Sequence, residues 1–296
     1  MRRPMILLTQ KQQESLHIRL HPSHSLLAKG AIAEVERILH KILPRWSRKL
    51  RARLDTRSRE WFDASKPGKL DSAVRRLNQP GRTYKALVKR YGPGKYDREI
   101  GHATLTGDYS GVYVFLSLDD WLFMPQQDRQ LFGNSISISV ERKEVEGIPA
   151  AQWLANAFGE ICEMIDFIFG FAYCNGEYYS KNMDTTQGYA AIGVDPSKYL
   201  PGLYWIDFFG KPYVELIGKK QLMTTPAALI KEIKNGVLVQ FGDDPKVWRT
   251  REYRTTIEEA LDHIGRQYFF DRRNIKRQTF APPFVFESIE RDKGRL

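Results

Sequence analysis

The sequence predicts an α+β fold: a largely antiparallel sheet, or sheets, covered by helices and preceded by a basic helical region. Three observations carry this. Residues 102–107 and 111–118 read as two strands closed by Asp108-Tyr109-Ser110, the pattern of a hairpin. A helix follows Pro149, with Leu154, Phe158, Ile161, Ile165 and Ile168 on one stripe and Asn156, Glu160 and Glu163 opposite. The elements on either side do not alternate as regular β-α-β units, which argues against a parallel sheet.

The first third is helical in pattern. Ile32, Val35, Leu39, Ile42 and Leu43 share a face between Ala31 and Leu43, with Glu34 and Lys41 opposite. Pro44 interrupts, and Trp46, Leu50 and Leu54 continue at four-residue spacing, which predicts a basic helix over 45–59. Gly and Pro then mark a loop over 64–98 with short helices near 69–78 and 82–91. Beyond the hairpin, Ile136, Ile138 and Val140 alternate with Ser135, Ser137 and Ser139 on a half-buried strand over 133–142. Further strands are expected at 171–179, 187–193, 203–209 and 236–241. Helices are expected at 211–217, ending at Gly218, from Pro226 to about 233, and along Tyr253, Ile257, Ala260, Leu261, Ile264 and Tyr268. The tail is expected to pack through Phe280, Phe284 and Phe286. Two β-rich blocks result, with a division into a basic helical region over 1–100 and an α+β domain over 101–296.

The chain has 296 residues, 42% of them hydrophobic, enough for a substantial core. The N-terminal apolar run is too short for a signal-peptide core, and Phe167–Cys174 is too short to span a membrane, so a cytoplasmic protein without membrane partners is expected. Cys162 and Cys174 suit buried free thiols in a reducing compartment. Charge is uneven: residues 1–100 carry 24 Lys and Arg against 9 Asp and Glu, and residues 101–250 carry 12 against 18. A basic surface and an acidic one are therefore expected.

No phosphate-cradling loop or nucleophile elbow is present, and His21-Pro-Ser-His24 reads as a solvated loop, so no cofactor and no metal site are expected. One constellation has catalytic form. Asp119 and Asp120 end a strand while Glu141 and Lys143 end the next, the donor types of an Mg²⁺-dependent nuclease of the restriction-endonuclease kind. With it goes a nucleic-acid partner, whose phosphates Arg45, Arg48, Lys49, Arg51 and Arg53 would meet beside Trp46 and Trp61. Against it, Glu144 and Glu146 would repel phosphate, and such charges are frequent at strand ends. Asp207, in the aromatic run from Tyr204 to Gly210, is expected to be buried and paired.

Tyr204-Trp205, Phe209-Gly210, Tyr213 and Gly218, with the Gly236 strand, the Asp243-Asp244-Pro245 turn and Tyr268-Phe-Phe-Asp271, resemble a bacterial immunity protein. The family is that of polymorphic-toxin and type VI secretion systems, numbered fifty-two, and its relatives. The resemblance spans roughly residues 130–290. It implies a non-catalytic protein that binds and neutralises one cognate toxin. The acidic residues Asp119, Asp120, Glu141, Glu144, Glu146, Asp243 and Asp244 are then the candidate contacts, and the aromatic and glycine positions belong to the fold.

Overall fold

The structure, a computed structural model, describes residues 9–24, 26, 30–54, 61–77, 102–118, 134–184, 190–194 and 198–282. Its early strands are β1 (Leu16–Pro22), β2 (Arg51–Leu54), β3 (Phe62–Asp63), β4 (His102–Thr106), β5 (Val112–Leu118) and β6 (Asn134–Val140). A small hairpin, β7 (Glu144–Val145) and β8 (Ile148–Pro149), precedes β9 (Phe167–Cys174). Then come the short pair β10 (Met183–Asp184) and β11 (Ala190–Ala191), β12 (Ile206–Gly210), β13 (Leu229–Ile233) and β14 (Gly236–Gln240). The helices are α1 (Gln10–Glu14), α2 (Ala31–Ile42), α3 (Lys69–Leu77), α4 (Ala150–Met164), α5 (Asn175–Asn182), α6 (Lys211–Ile217), α7 (Lys219–Met223) and α8 (Arg251–Ile264).

Where two β blocks were expected, ten strands form one sheet in the order β13-β14-β12-β9-β1-β6-β5-β4-β2-β3. The paired strands run antiparallel, which upholds the predicted class. The join is β1, which pairs with β6 on one edge and β9 on the other. Its Leu16, Ile18 and Leu20 alternate with His17 and Arg19, a two-residue period that fits a pleated strand. His21 is the penultimate residue of β1, buried opposite Phe169, so it lies in the sheet and not in a solvated loop.

Each face carries its own core. On one, Leu16, Ile18 and Leu20 join Ile136, Ile138, Val140, Val112, Val114 and Leu116, under α2 and α4. On the other, Phe169, Phe171 and Tyr173 of β9 join Phe209, Val237 and Val239, under α5, α6 and α8. Residues of β9 are buried on both sides, since both helical layers meet over it.

Several elements differ from expectation for definable reasons. The stretch predicted as a basic helix over 45–59 is a 3₁₀ turn, Trp46–Lys49, then strand β2, with 55–60 outside the described residues. Arg51 and Arg53 flank buried Ala52, so alternation overrides the four-residue spacing. Helix α4 ends at Met164, and Ile165 and Ile168 pass into extended chain. The strand expected at 171–179 ends at Cys174, whose partner Leu16 begins β1, and Asn175 starts α5 instead. Of 187–193, Ala190–Ala191 are strand, while 187–189 lie outside the described residues, as does the helix expected at 82–91. The helix expected from Pro226 is β13, because the two-residue Lys234-Asn235 turn ahead of Gly236 closes a hairpin with β14. Tyr268 falls in a separate 3₁₀ turn after α8. Phe280 is half exposed, contrary to the packed tail, and Phe284 and Phe286 lie outside the described residues. Cys162 and Cys174 are free and buried, as expected.

Two glycines test this packing. A Cβ at Gly210 would drive into the Phe167 carbonyl oxygen of the neighbouring strand, whereas one at Gly159 in α4 meets nothing within 4 Å. Gly210→Ala is expected to cost about 1–3 kcal/mol through overpacking. Gly159→Ala is expected to gain about 0.5–1 kcal/mol from helix propensity. Urea unfolding midpoints check both, and equal effects would refute the registered contact of β9 with β12.

Candidate functional site

The register brings distant parts of the chain to one end of the sheet. Gln240 pairs with Ile206, Ile206 with Ala172, Ala172 with Ile18, and Ile18 with Ile138. The chain leaving β14 toward Asp243 and Asp244 therefore exits at the same end as the chain leaving β6 toward Glu141. Four strand spacings separate β14 from β6, about 19 Å. Helix α1 lies between them.

A five-residue helix cannot stand on propensity alone, and α1 is fixed locally and by the sheet. Thr9 forms a capping box with Gln12, its Oγ1 accepting from the Gln12 N–H at 3.2 Å while its own N–H donates to Gln12 Oε1 at 2.9 Å. Asn175 donates its backbone N–H to the Ser15 carbonyl and its Nδ2 to the Gln12 carbonyl, each at 2.9 Å. The Cys174 thiol donates to the Gln13 carbonyl, and Arg249 Nη2 to Gln13 Oε1 at 2.6 Å. Ion pairs flank the helix: Lys11 Nζ to Glu141 at 3.8 Å and Lys246 Nζ to Glu14 at 3.6 Å. Exposed pairs of this kind contribute roughly 0–1 kcal/mol each, so the backbone bonds hold α1 and the charges decorate it.

The candidate acidic residues separate into two kinds. Glu141, Glu144, Asp243 and Asp244 are exposed around this end. Asp244 also caps the following 3₁₀ turn by accepting from the Lys246 N–H at 2.9 Å. Glu146 turns inward. It and Gly147 both have positive φ, 52° and 84°, and form the two-residue turn joining β7 to β8. Glu146 is the one described non-glycine residue in that region, and its side chain is only 11% exposed. Its Oε1 accepts from the Arg45 and Trp46 N–H groups at 2.9 and 3.1 Å and from the Tyr109 hydroxyl at 3.2 Å. Burial, then the nearby Glu146 charge, pushes the Tyr109 hydroxyl up to about 12. Asp119 and Asp120 lie outside the described residues. Leu118 before them pairs with Asn134, whereas Glu141 follows Val140, which pairs with Val112 at the other end of the hairpin.

Basic residues share this end, so it carries both signs of charge. Arg45 faces Glu146 at 3.6 Å, Lys49 binds Asp108 at 2.9 Å, and Arg142 stacks 4.7 Å from the Tyr109 ring centre. Arg48 and Lys143 are exposed. Arg51 and Arg53 sit on β2 over the Trp61 ring, at 5.9 and 5.2 Å from its centre.

A buried charge network lies on the other face; the sequence pointed to a buried Asp207 but not to Glu177 or Lys181. Glu177, on α5, accepts at Oε1 from Lys181 Nζ at 2.6 Å and from the Tyr253 hydroxyl at 3.0 Å. Lys181 also donates to the Leu203 carbonyl at 2.6 Å and lies 4.7 Å from the Tyr204 ring centre. Tyr204 stacks on Phe171 and donates to Asn182 Oδ1. Asp207 pairs across the strands with Phe171 and Val239, is fully buried, and accepts at Oδ2 from the Tyr204 N–H at 2.8 Å. Burying a charge costs several kcal/mol, more than one hydrogen bond to it returns, about 1.5–3 kcal/mol. Burial accordingly raises the Asp207 carboxyl well above the ordinary range, against the opposing pull of the Tyr204 N–H and Lys181. The alternating strand with an acid among aromatics was the available sequence signal for Asp207. Nothing local marked Glu177.

No family model and no curated protein matches the chain. Among solved structures it is similar to the Pseudomonas aeruginosa T6SS protein PA0821, at 11% sequence identity and a TM-score of 0.41. That similarity covers 84% of this chain and 72% of the other. A likeness of that depth assigns neither family nor activity.

Two measurements follow from these placements. Glu146→Ala removes a carboxylate that caps two backbone donors and should lower stability by about 1–2 kcal/mol, while Glu144→Ala should leave the denaturation midpoint within about 0.5 kcal/mol. For Asp207, the folded carboxyl holds its proton above the pH at which the unfolded one, near 3.9, releases it. The folded state then binds more protons, so this group's contribution makes stability fall as pH rises from about 4 toward the folded value. Asp207→Asn should flatten that part of the stability–pH curve, and an unchanged slope would show that Asp207 ionises in the fold.

Proposed function

We propose that this protein is a non-catalytic immunity protein that binds and neutralises a cognate bacterial toxin. The carrying observation is the convergence of Glu141, Glu144, Asp243 and Asp244 at one end of the sheet, on either side of α1, from positions a hundred residues apart. A patch about 19 Å wide is on the scale of one side of a standard interface, roughly 800 Å² per partner. Glu144 and Asp243 have no ion-pair partner among the described residues and are available to a basic partner. The aromatic and glycine positions behind the resemblance support the same division of labour. Tyr204, Trp205, Phe209, Gly210 and Tyr213 are buried, so they serve the scaffold while the sheet end meets the partner.

Because Lys11, Arg142, Lys143 and Lys246 share this end, recognition here rests on matched pairs of charges more than on a broad acidic field. The test is coexpression with each protein encoded beside this gene. One neighbour should be toxic alone, lose its toxicity with this chain present, and copurify with it one to one. Glu144→Lys with Asp243→Lys should weaken that complex about ten- to a hundredfold by calorimetry. No neutralised neighbour, or a complex indifferent to both reversals, would remove this reading.

A further inference from the structure

On the α5 and α8 face of the sheet, a cleft of about 790 Å³ opens between α5, the 201–203 segment, α8 and the chain at 269–273. That volume lies in the range of small-molecule sites. At its floor is Glu177, with 1% of its side chain exposed. Glu177 Oε1 takes both neighbouring donors, Lys181 and Tyr253, while Oε2 is buried without a hydrogen-bond partner. Lys181 divides its bonds between Glu177 Oε1 and the Leu203 carbonyl, and the single Tyr253 hydroxyl proton is engaged. An unanswered carboxylate oxygen in a buried position is costly and is met by a donor when one can reach it.

The mouth has the opposite sign. Of the acids lining it, Glu258 is paired with Arg266 at 2.8 Å and Asp271 with Arg277 at 3.4 Å. The guanidiniums of Arg254, Arg272 and Arg273 have no carboxylate partner among the described residues. Arg254 donates to the Arg249 carbonyl and Arg272 to the Ser180 carbonyl, at 3.2 Å for the latter, which leaves further donors on each guanidinium. A cleft with a buried acceptor at its floor and spare guanidiniums at its mouth is matched by a molecule charged in the reverse sense at its two ends.

We propose that this cleft binds a small zwitterion of the amino-acid class, whose ammonium or guanidinium donates to Glu177 Oε2 and whose carboxylate lies on the arginines at the mouth. Arginine suits the second role because its planar fork meets a carboxylate with two parallel bonds. This site is built from residues other than the acidic ones proposed for the toxin interface.

Isothermal titration of the full chain with L-arginine and L-lysine tests the proposal, with agmatine, which has the guanidinium but no carboxylate, as comparison. Saturable one-site binding of at least one amino acid is expected. If L-arginine is that ligand, agmatine should bind about tenfold or more weakly. Glu177→Gln should weaken binding about tenfold or more, and because this variant disturbs a buried network its fold is checked by circular dichroism. Arg272→Ala with Arg273→Ala, both exposed, provides the variant that keeps the fold and should weaken the amino acid while leaving agmatine little changed. Absence of saturable binding up to about 10 mM of either amino acid, an affinity weaker than free binding of this size warrants, would overturn the proposal. So would binding that the double arginine variant leaves unchanged.

Discussion

Strand β9 runs Phe-Ile-Phe-Gly-Phe-Ala-Tyr-Cys with every residue buried, and that double burial dictates the layers around it. An antiparallel strand commonly keeps one face wet. Here Ala172 and Cys174 need cover on the α4 side, while Phe169, Phe171 and Tyr173 need it on the α5 and α8 side. The first core is largely aliphatic, whereas half of the second is aromatic. Phe171 stacks on Tyr204 and Tyr173, pairs of a kind worth about 0.5–1.5 kcal/mol each beyond their burial. Gly170 lets Leu20 of β1 approach the strand closely, at the seam where the two halves of the sheet meet.

The same strand explains which parts of the fold could be read from the sequence. Segments with one wet face announced themselves: Ile136, Ile138 and Val140 against three serines, the hairpin at 102–118, and the stripe of α8. An unbroken apolar run carries no period, so the α4 stripe appeared to continue through Ile168 and the start of β9 was missed. In β2 the signals conflicted, since Trp46, Leu50 and Leu54 fit a helix while Arg51, Ala52 and Arg53 fit a strand. Pairing with β4 decided it. At β13 the expectation followed the helix-starting proline, whereas the chain turns at Lys234-Asn235 and pairs with β14.

Charge was legible in amount but not in placement. Among the described residues, basic side chains of the first third meet the acidic middle: Lys11, Arg45 and Lys49 pair with Glu141, Glu146 and Asp108. Glu146 could be recognised in sequence only as one of several acids near a turn. Its inward orientation depends on the backbone donors of residues a hundred positions earlier. Glu177 was equally silent: it fell within the strand expected over 171–179, and only the packing of α8 against α5 buries it.

The position of β1 has a consequence for how the chain reaches this structure. Ile18 must find Ile138 on one edge and Ala172 on the other, so both of its partners are made long after it. Until they arrive the strand has two open edges and an exposed Leu-Ile-Leu face, the condition in which chains pair wrongly or aggregate. Closure over such sequence distances is slow compared with forming the 102–118 hairpin or α4. During synthesis, then, the sheet can grow in both halves before its central strand is captured, and the last step of assembly lies at the middle of the molecule.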